Sequence, residues 1–304
     1  MKICVTGSGG LGGFFGGWLA AAGEDVSFIA RGMHLEAMCE NGLRVTSQLG
    51  DRHIQNVQAT DDPSEVGPVD IILFCVKNYS LEDAARKCLP LLKPTTAAIS
   101  VLNGIDAAQR IEAIMGPGHA VPGVTLVPSN ISGPGVIAHQ GNKIDITFGE
   151  LDRTASPRLT AFRDACCNAG LDARISPDIA SMVWYKFVAW SSSSSVICAN
   201  CKSFGDLQSD PELLQLFRDT ATETIRVGQA SGADLPEDLV DNLVSIILTY
   251  PPEAKPSMLV DLEHHKPIEL DYACGAVAKL GEALGIKTPL NRALCAQLSR
   301  YVDD

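Results

Sequence analysis

Lys2-Ile-Cys-Val-Thr-Gly7-Ser-Gly-Gly-Leu-Gly12-Gly-Phe-Phe-Gly-Gly-Trp18 is the stretch that decides the fold. Lys2 to Thr6 reads as a short buried strand and Leu11 to Ala22 as a helix. Between them, Gly7-Ser8-Gly9-Gly10-Leu11-Gly12 is a GxGxxG turn in the setting that motif requires, a strand before it and a helix after it. Gly7 permits the tight turn, Gly9 lets the main chain approach a pyrophosphate, and Gly12 lets helix and strand pack closely. The unpaired N–H groups at the helix start, with their partial positive charge, suit phosphate. The same residues could be mistaken for a signal peptide, because Lys2 precedes an apolar stretch that ends in Ala20-Ala21-Ala22. Seven glycines between Gly7 and Gly17 make a poor apolar helix, and the dinucleotide pattern explains them better.

Working outward, the N-terminal half keeps alternating. Asp25 to Ala30, Val69 to Val76 and Ala97 to Leu102 read as strands, while Leu81 to Leu92 and Ala107 to Ile114 read as helices. Apolar strands alternating with helices mean an α/β fold, a Rossmann-type doubly wound parallel sheet covered on both faces. From Ala120 to Glu150, glycines, prolines and alternating residues suggest hairpin strands that complete the sheet. After Leu171-Asp-Ala-Arg-Ile-Ser176 the strand signals stop, and the periodic segments are helical through Leu298. The expected organisation is a dinucleotide-binding Rossmann-type domain over residues 1–176 and an all-helical domain over 177–304. Ser191 to Ser195 lies between apolar segments and reads as buried helix rather than linker.

A chain of 304 residues is long enough for two domains, each with its own core. A hydrophobic content of 46% with 20% charged residues excludes a disordered protein. The net charge of −12 counts against nucleic acid or an anionic membrane as partner. No apolar run approaches the roughly 18 residues a membrane span needs, so the expected location is cytoplasmic. Ten cysteines are too dilute for a disulfide scaffold, which fits a reducing compartment. Cys198-Ala-Asn-Cys201 has no second pair and no nearby histidine, so it is a weak metal or redox motif.

In NAD enzymes the second strand is expected to lead to an acidic residue that holds the ribose 2′-hydroxyl. Here it runs Phe28-Ile29-Ala30-Arg31, and a guanidinium suits a 2′-phosphate instead, which favours NADP(H). Lys77 ends one buried strand and Asn103-Gly104 follows the next, at the carboxyl ends where ligands bind in open α/β sheets.

Trp184-Tyr185-Lys186 early in the helical half, Ser257-Met-Leu-Val-Asp261, and Glu269-Leu-Asp-Tyr272 follow in order. With the glycine turn, the Val-Lys and Asn-Gly strand ends and the tail Leu280 to Asn291, the whole chain resembles the ketopantoate reductase family. That resemblance implies NADPH-dependent reduction of a 2-oxo acid to the 2-hydroxy acid, with 2-dehydropantoate as the leading substrate. It implies Lys186 as the general acid, Glu269 beside the reacting centre, and Ser257 on the substrate carboxylate. By the same resemblance Asn103 positions substrate and lysine, Lys77 sits by cofactor and substrate, and Glu269 and Asn103 also approach the cofactor. A homodimer is a further family-level expectation. The bare residues support the lysine's role: a reduced ketone develops alkoxide character, which an ammonium in an apolar setting can stabilise and protonate.

The sequence departs from the family where many members carry asparagines four and eight residues after that lysine. Trp190 and Ser194 stand there, on the same helical face. A tryptophan either reshapes the substrate site or turns into the core. His264-His265-Lys266-Pro267 also replaces a small basic motif. The substrate therefore stays open: a reductase of a different 2-oxo or 3-oxo acid is the near alternative. A non-catalytic NADP(H)-sensing protein is the alternative of another class.

Overall fold

The computed structural model describes residues 1–301, so the last three positions of the helical domain expected over 177–304 lie outside it. The chain divides into two compact units. One comprises residues 1–102 and 106–179; the other takes residues 103–105 and those from 180 on.

The first unit begins β1 (Lys2–Thr6), α1 (Gly10–Ala21), β2 (Asp25–Ile29), α2 (Gly32–Asn41), β3 (Leu43–Ser47), β4 (Arg52–Ile54), β5 (Gln58–Thr60) and β6 (Ile71–Phe74). It continues α3 (Leu81–Lys87), β7 (Ala97–Ser100), α4 (Ala107–Met115), β8 (Ala120–Val124), β9 (Ser129–Gly133), β10 (Val136–His139), β11 (Asp145–Phe148), α5 (Pro157–Asn168) and β12 (Asp172–Ile175). Eight strands form one sheet in the order β12-β11-β8-β7-β6-β1-β2-β5. Every pairing is parallel except β8 with β11. All four residues of β6 and of β7 are buried, as strands covered on both faces should be.

The segment from Ala120 to Glu150 corrects the expectation. β8 and β11 do extend the main sheet, but β9 and β10 leave it for a second sheet ordered β4-β3-β10-β9. The physical reason lies in α1, which packs against both sheets. A side chain at Gly12 would strike Val5 Cγ1 at 2.9 Å and one at Gly16 the ring of Phe28, both on the main sheet. One at Gly13 would strike Ile137 Cγ1 at 2.6 Å and one at Gly17 Val45 Cγ2 at 2.7 Å, both on the second. A helix pressed from two sides is apolar all round, and Phe14, Phe15, Trp18 and Leu19 are buried. The helix expected to run to Leu92 stops at Lys87 and gives way to a 3₁₀ turn at Leu89–Leu91. Pro90 has no N–H to donate and disfavours helical geometry in the residue before it.

The second unit contains α6 (Ile179–Asn200), α7 (Phe204–Ser209), α8 (Pro211–Ala230), α9 (Leu239–Ile247), α10 (Ser257–Glu263), α11 (Cys274–Ala283) and α12 (Pro289–Leu298). Ser191 to Ser195 is buried within α6. Glu223 of α8 is buried and caps α12, accepting from the backbone N–H groups of Leu290 and Asn291, both at 3.0 Å. A carboxylate there satisfies two orphan donors and complements the positive end of the helix. Among the described residues no helix is long and apolar enough to cross a membrane.

Three groups that are at least partly buried make the first unit sensitive to acid. His34 Nδ1 accepts from the Gly135 N–H at 3.1 Å, and burial holds the ring below its ordinary 6.5. Arg110 holds Glu82 below 4.5, and hydrogen bonds from Lys93 and the Lys2 N–H hold Asp70 below 3.8. Each folded pKa lies under its unfolded one, so the unfolded chain binds protons first as pH falls. On the acid side, thermal melts should therefore hold between about 6.5 and 8 and then fall in two stages as pH drops. The upper stage belongs to His34 and the lower, below about 4.5, to Glu82 and Asp70. His34→Gln, which keeps an acceptor for Gly135, should remove only the upper stage.

Candidate active site

The loop after β1 has the shape of a phosphate cradle. Gly7 has φ of +92°, and a side chain there would meet the Val76 nitrogen at 2.7 Å. Gly9 faces open space, with nothing within 4 Å of where a side chain would sit. It precedes α1 with no side-chain cap on the helix start, so no side chain of the loop occupies the first-turn donors. Gly10 packs directly against the Ser129 carbonyl of β9, which fixes the helix start against the second sheet. Bare main chain, open space and uncapped donors fit a dinucleotide pyrophosphate. Leu11 follows in the first turn, half-buried.

Ser8 does not point to a ligand. Its hydroxyl and its N–H both donate to the Ile29 carbonyl, at 3.0 and 3.2 Å, which ties the glycine loop to the end of β2. Two residues on, Arg31 is exposed as the residue before α2. His34, in the first turn of α2, links that helix to the turn at Gly135 and lies against the Ser8 backbone. Sequence reading missed His34, because its partners are distant in the chain.

Lys77 follows β6 and precedes a 3₁₀ turn at Asn78–Ser80. Arg110 of α4 grips that turn, donating to the Asn78 carbonyl at 2.6 Å and to Asn78 Oδ1 at 3.0 Å. It also forks onto both oxygens of Glu82, at 2.7 and 2.8 Å. This bidentate pair fixes the backbone that carries Lys77, and no sequence motif marks Arg110. Asn103 groups with the helical unit, where its neighbour Ile105 packs against the core.

In the helical unit, Lys186, Trp190 and Ser194 share one face of α6 at successive turns. Lys186 is half-buried and sits next in sequence to the buried Phe187. Trp184 meets Phe187 edge-on, with centroids 5.4 Å apart. The Trp190 ring lies 6.2 Å from Phe187 and packs against the helical core. Its Nε1 and the Ser194 hydroxyl are buried without a hydrogen-bond partner among the described residues. Ser257 is exposed as the first residue of α10. Glu269 is only 5% exposed and leads into a 3₁₀ turn, Leu270–Tyr272.

His264 to Pro267 is helix-stop chemistry. His265 has φ of +52°, and the Lys266 N–H returns to the Asp261 carbonyl at 2.9 Å. The CxxC pair is structural in its surroundings. Burial pushes the Cys198 thiol up to about 12, and the Cys201 thiol donates to the Cys198 carbonyl at 3.8 Å. No cluster of three or more metal-ligating side chains occurs among the described residues.

Two family models match, "Ketopantoate reductase PanE/ApbA" over residues 3–153 and "Ketopantoate reductase PanE/ApbA C terminal" over 178–302. The chain belongs to the ketopantoate reductase family. It is 29% identical to the 2-dehydropantoate 2-reductase of Mesorhizobium japonicum, covering 99% of this chain and 97% of that one. A PanE/ApbA family ketopantoate reductase from Ralstonia eutropha superposes with a TM-score of 0.92 at 28% identity, covering 100% and 99% of the two chains. A D-mandelate dehydrogenase solved with NADH and anilino(oxo)acetate shares the fold, with a TM-score of 0.88 at 23% identity over 100% and 99%. As a ketopantoate reductase family member, this protein is an oxidoreductase acting on CH–OH groups with a nicotinamide cofactor.

The cradle geometry separates two glycines. Gly9→Ala adds a methyl to open space at a φ of −73°, so the melting temperature should hold. Dinucleotide affinity should fall roughly tenfold or more, about 1.4 kcal/mol of lost approach. Gly12→Ala drives a methyl into the Gly7 carbonyl and Val5, and should cost about 1–3 kcal/mol of stability. Calorimetric titration beside thermal melts distinguishes the two.

Proposed function

We propose that this protein reduces a 2-oxo acid to the 2-hydroxy acid with NADPH, with 2-dehydropantoate as the leading substrate. The observation that carries the reading is Lys186, half-buried in apolar surroundings on α6. The relatives' names support it, since the Mesorhizobium japonicum protein is a 2-dehydropantoate 2-reductase.

A nicotinamide dinucleotide held by the Gly7–Gly12 loop would supply hydride for the carbonyl carbon. Lys186 stabilises the charge developing on the ketone oxygen and gives it a proton, so the neutral alcohol forms in one concerted demand. Glu269, buried in the same helical unit, binds substrate and orients the lysine. Ser257 donates to the substrate carboxylate. Asn103 and Lys77 position substrate and cofactor, and Trp190 and Ser194 shape the far end of the acid. Gly7 to Gly12 hold the pyrophosphate, and Arg31, exposed beside the β2 end, takes the 2′-phosphate.

Trp190 favours a second reading, a reductase for another 2-oxo or 3-oxo acid. An indole in place of an amide removes an acceptor from the face that carries Lys186. Absorbance at 340 nm with a panel of oxo acids tells the substrates apart. Lys186→Ala should lower kcat by about 10²–10⁴ on whichever acid is used, with dinucleotide affinity unchanged. Turnover that survives this change overturns the mechanism, and dinucleotide binding with no turnover on any acid leaves a sensor.

Cofactor choice has its own test. Arg31→Ser should raise the KM for NADPH about tenfold to a hundredfold and leave NADH alone, the loss of charge-assisted bonds worth about 1.5–3 kcal/mol. Equal effects on the two cofactors would refute the 2′-phosphate role.

A further inference from the structure

Lys77 stands between two fixed pieces of main chain, both in the first unit. On one side is the glycine loop. A side chain at Gly7 would meet the Cys75 carbonyl carbon at 2.8 Å and the Val76 nitrogen at 2.7 Å, and the Cys75 N–H donates to the Thr6 carbonyl at 2.8 Å. Lys77 is therefore the first residue beyond the backbone on which the cradle rests. On the other side is the turn it opens, where the Ser80 N–H donates to the Lys77 carbonyl at 2.9 Å. Lysine backbone and turn move together.

Arg110 closes that turn from outside. Asn78 is fully buried, and Arg110 takes both of its oxygens, the carbonyl through Nη2 and Oδ1 through Nη1. Nε and Nη2 fork onto Glu82 in the first turn of α3, and Nη1 also reaches Asp106 Oδ1 at 3.4 Å, just before α4. Every N–H of the guanidinium has an acceptor.

We propose that Arg110 is a positioning residue for the dinucleotide: its clamp on the Asn78–Ser80 turn holds Lys77 at the rim of the glycine cradle, where the ammonium meets the cofactor's phosphates. This rests on the proposed function in one respect, that Lys77 serves the cofactor.

A lysine stem has many rotamers, and fixing its backbone beforehand lowers the ordering cost of meeting an anion. Only a planar fork can hold a carboxylate and a buried amide oxygen at once, so a lysine at position 110 would not replace the arginine. The protein carries the same device at the other end of its sheet. Arg158 forks onto Glu150 at 2.9 and 2.8 Å and donates to the Thr96 and Gly118 carbonyls at 3.2 and 2.7 Å. Those carbonyls precede β7 and β8, at the amino ends of the strands, whereas ligands bind at the carboxyl ends. Arg158 thus gives a clamp of like chemistry with structural work alone.

The test is calorimetric titration of NADPH into the full chain without oxo acid, with a thermal melt on each variant. Lys77→Ala and Arg110→Met should each raise the Kd about fivefold or more. The double variant should match Lys77→Ala alone, because the clamp acts through the lysine. Arg158→Met should lower the melting temperature and leave the Kd unchanged. If Arg110→Met does not fold, Glu82→Ala carries the same cycle, since that carboxylate is 39% exposed. Its rise in Kd should be smaller, and Glu82→Gln, which keeps one acceptor, should recover part of it. Losses that add in the double variant overturn the inference, as does a Kd raised equally by Arg158→Met. So does a Kd lowered in affinity by Lys77→Ala but untouched by Arg110→Met and Glu82→Ala, which leaves the proposed function standing. A Kd that Lys77→Ala does not change removes the lysine from cofactor binding, and overturns the inference together with that part of the proposed function.

Discussion

The close approach of α1 to two sheets is the constraint on which the first unit rests. Five glycines within one helix forfeit about 1 kcal/mol each relative to alanine in helical propensity. They remain because a methyl at Gly12 or Gly16 would collide with the main sheet, and one at Gly13 or Gly17 with the second. Burial of Phe14, Phe15, Trp18 and Leu19 between the sheets offsets the loss, at about 1.5–3 kcal/mol for each large side chain. The dinucleotide loop inherits its position from this packing. Gly10 is pressed on Ser129 from one side, and Gly7 on Cys75 and Val76 from the other. The bare backbone that would receive a phosphate is therefore held from both sides.

The same constraint explains what could be read in advance. The main sheet was legible because β1, β6 and β7 carry consecutive apolar residues, Ile3–Val5, Ile71–Phe74 and Ala97–Ile99, the pattern of strands buried on both faces. The second sheet was not. Its strands are short and partly exposed, and alternation of polar and apolar residues identifies a half-buried strand without naming its neighbours. A signal was present all the same. GxGxxG accounts for Gly7, Gly9 and Gly12, and leaves Gly10, Gly13, Gly16 and Gly17 unexplained. Of these, Gly13 and Gly17, four residues apart, mark a second surface against the helix.

Site residues divide along the same line. The glycine loop, Arg31 and Lys186 stand in recognisable local settings, so each could be singled out from sequence. His34 and Arg110 act through the backbone of residues 101 and 32 positions away, at Gly135 and Asn78. No local pattern encodes such a contact, because a histidine or arginine on a helix is ordinary until its partner is known. Both serve position rather than chemistry: His34 joins α2 to the turn at Gly135, and Arg110 sets the turn after Lys77.

α6 poses the opposite problem, since its composition is legible but costly. Ser191, Ser192, Ser194 and Ser195 bury hydroxyls with no partner among the described residues, and the Trp190 Nε1 is likewise buried without one. An unpaired buried group costs about 1–3 kcal/mol, and alanine at these serines would be the better helix former. Stability alone therefore does not account for the run. In the proposed reduction, Trp190 and Ser194 lie one and two turns beyond Lys186, about 6 and 12 Å along the helix. An indole can only donate, whereas a hydroxyl both donates and accepts. A substrate's far end would then meet a donor first, so an acceptor oxygen there is preferred and a hydroxyl must offer its lone pair. Discrimination of this kind depends on leaving buried donors unpaired when the wrong acid is bound. The unpaired atoms on this face of α6 are what such discrimination requires.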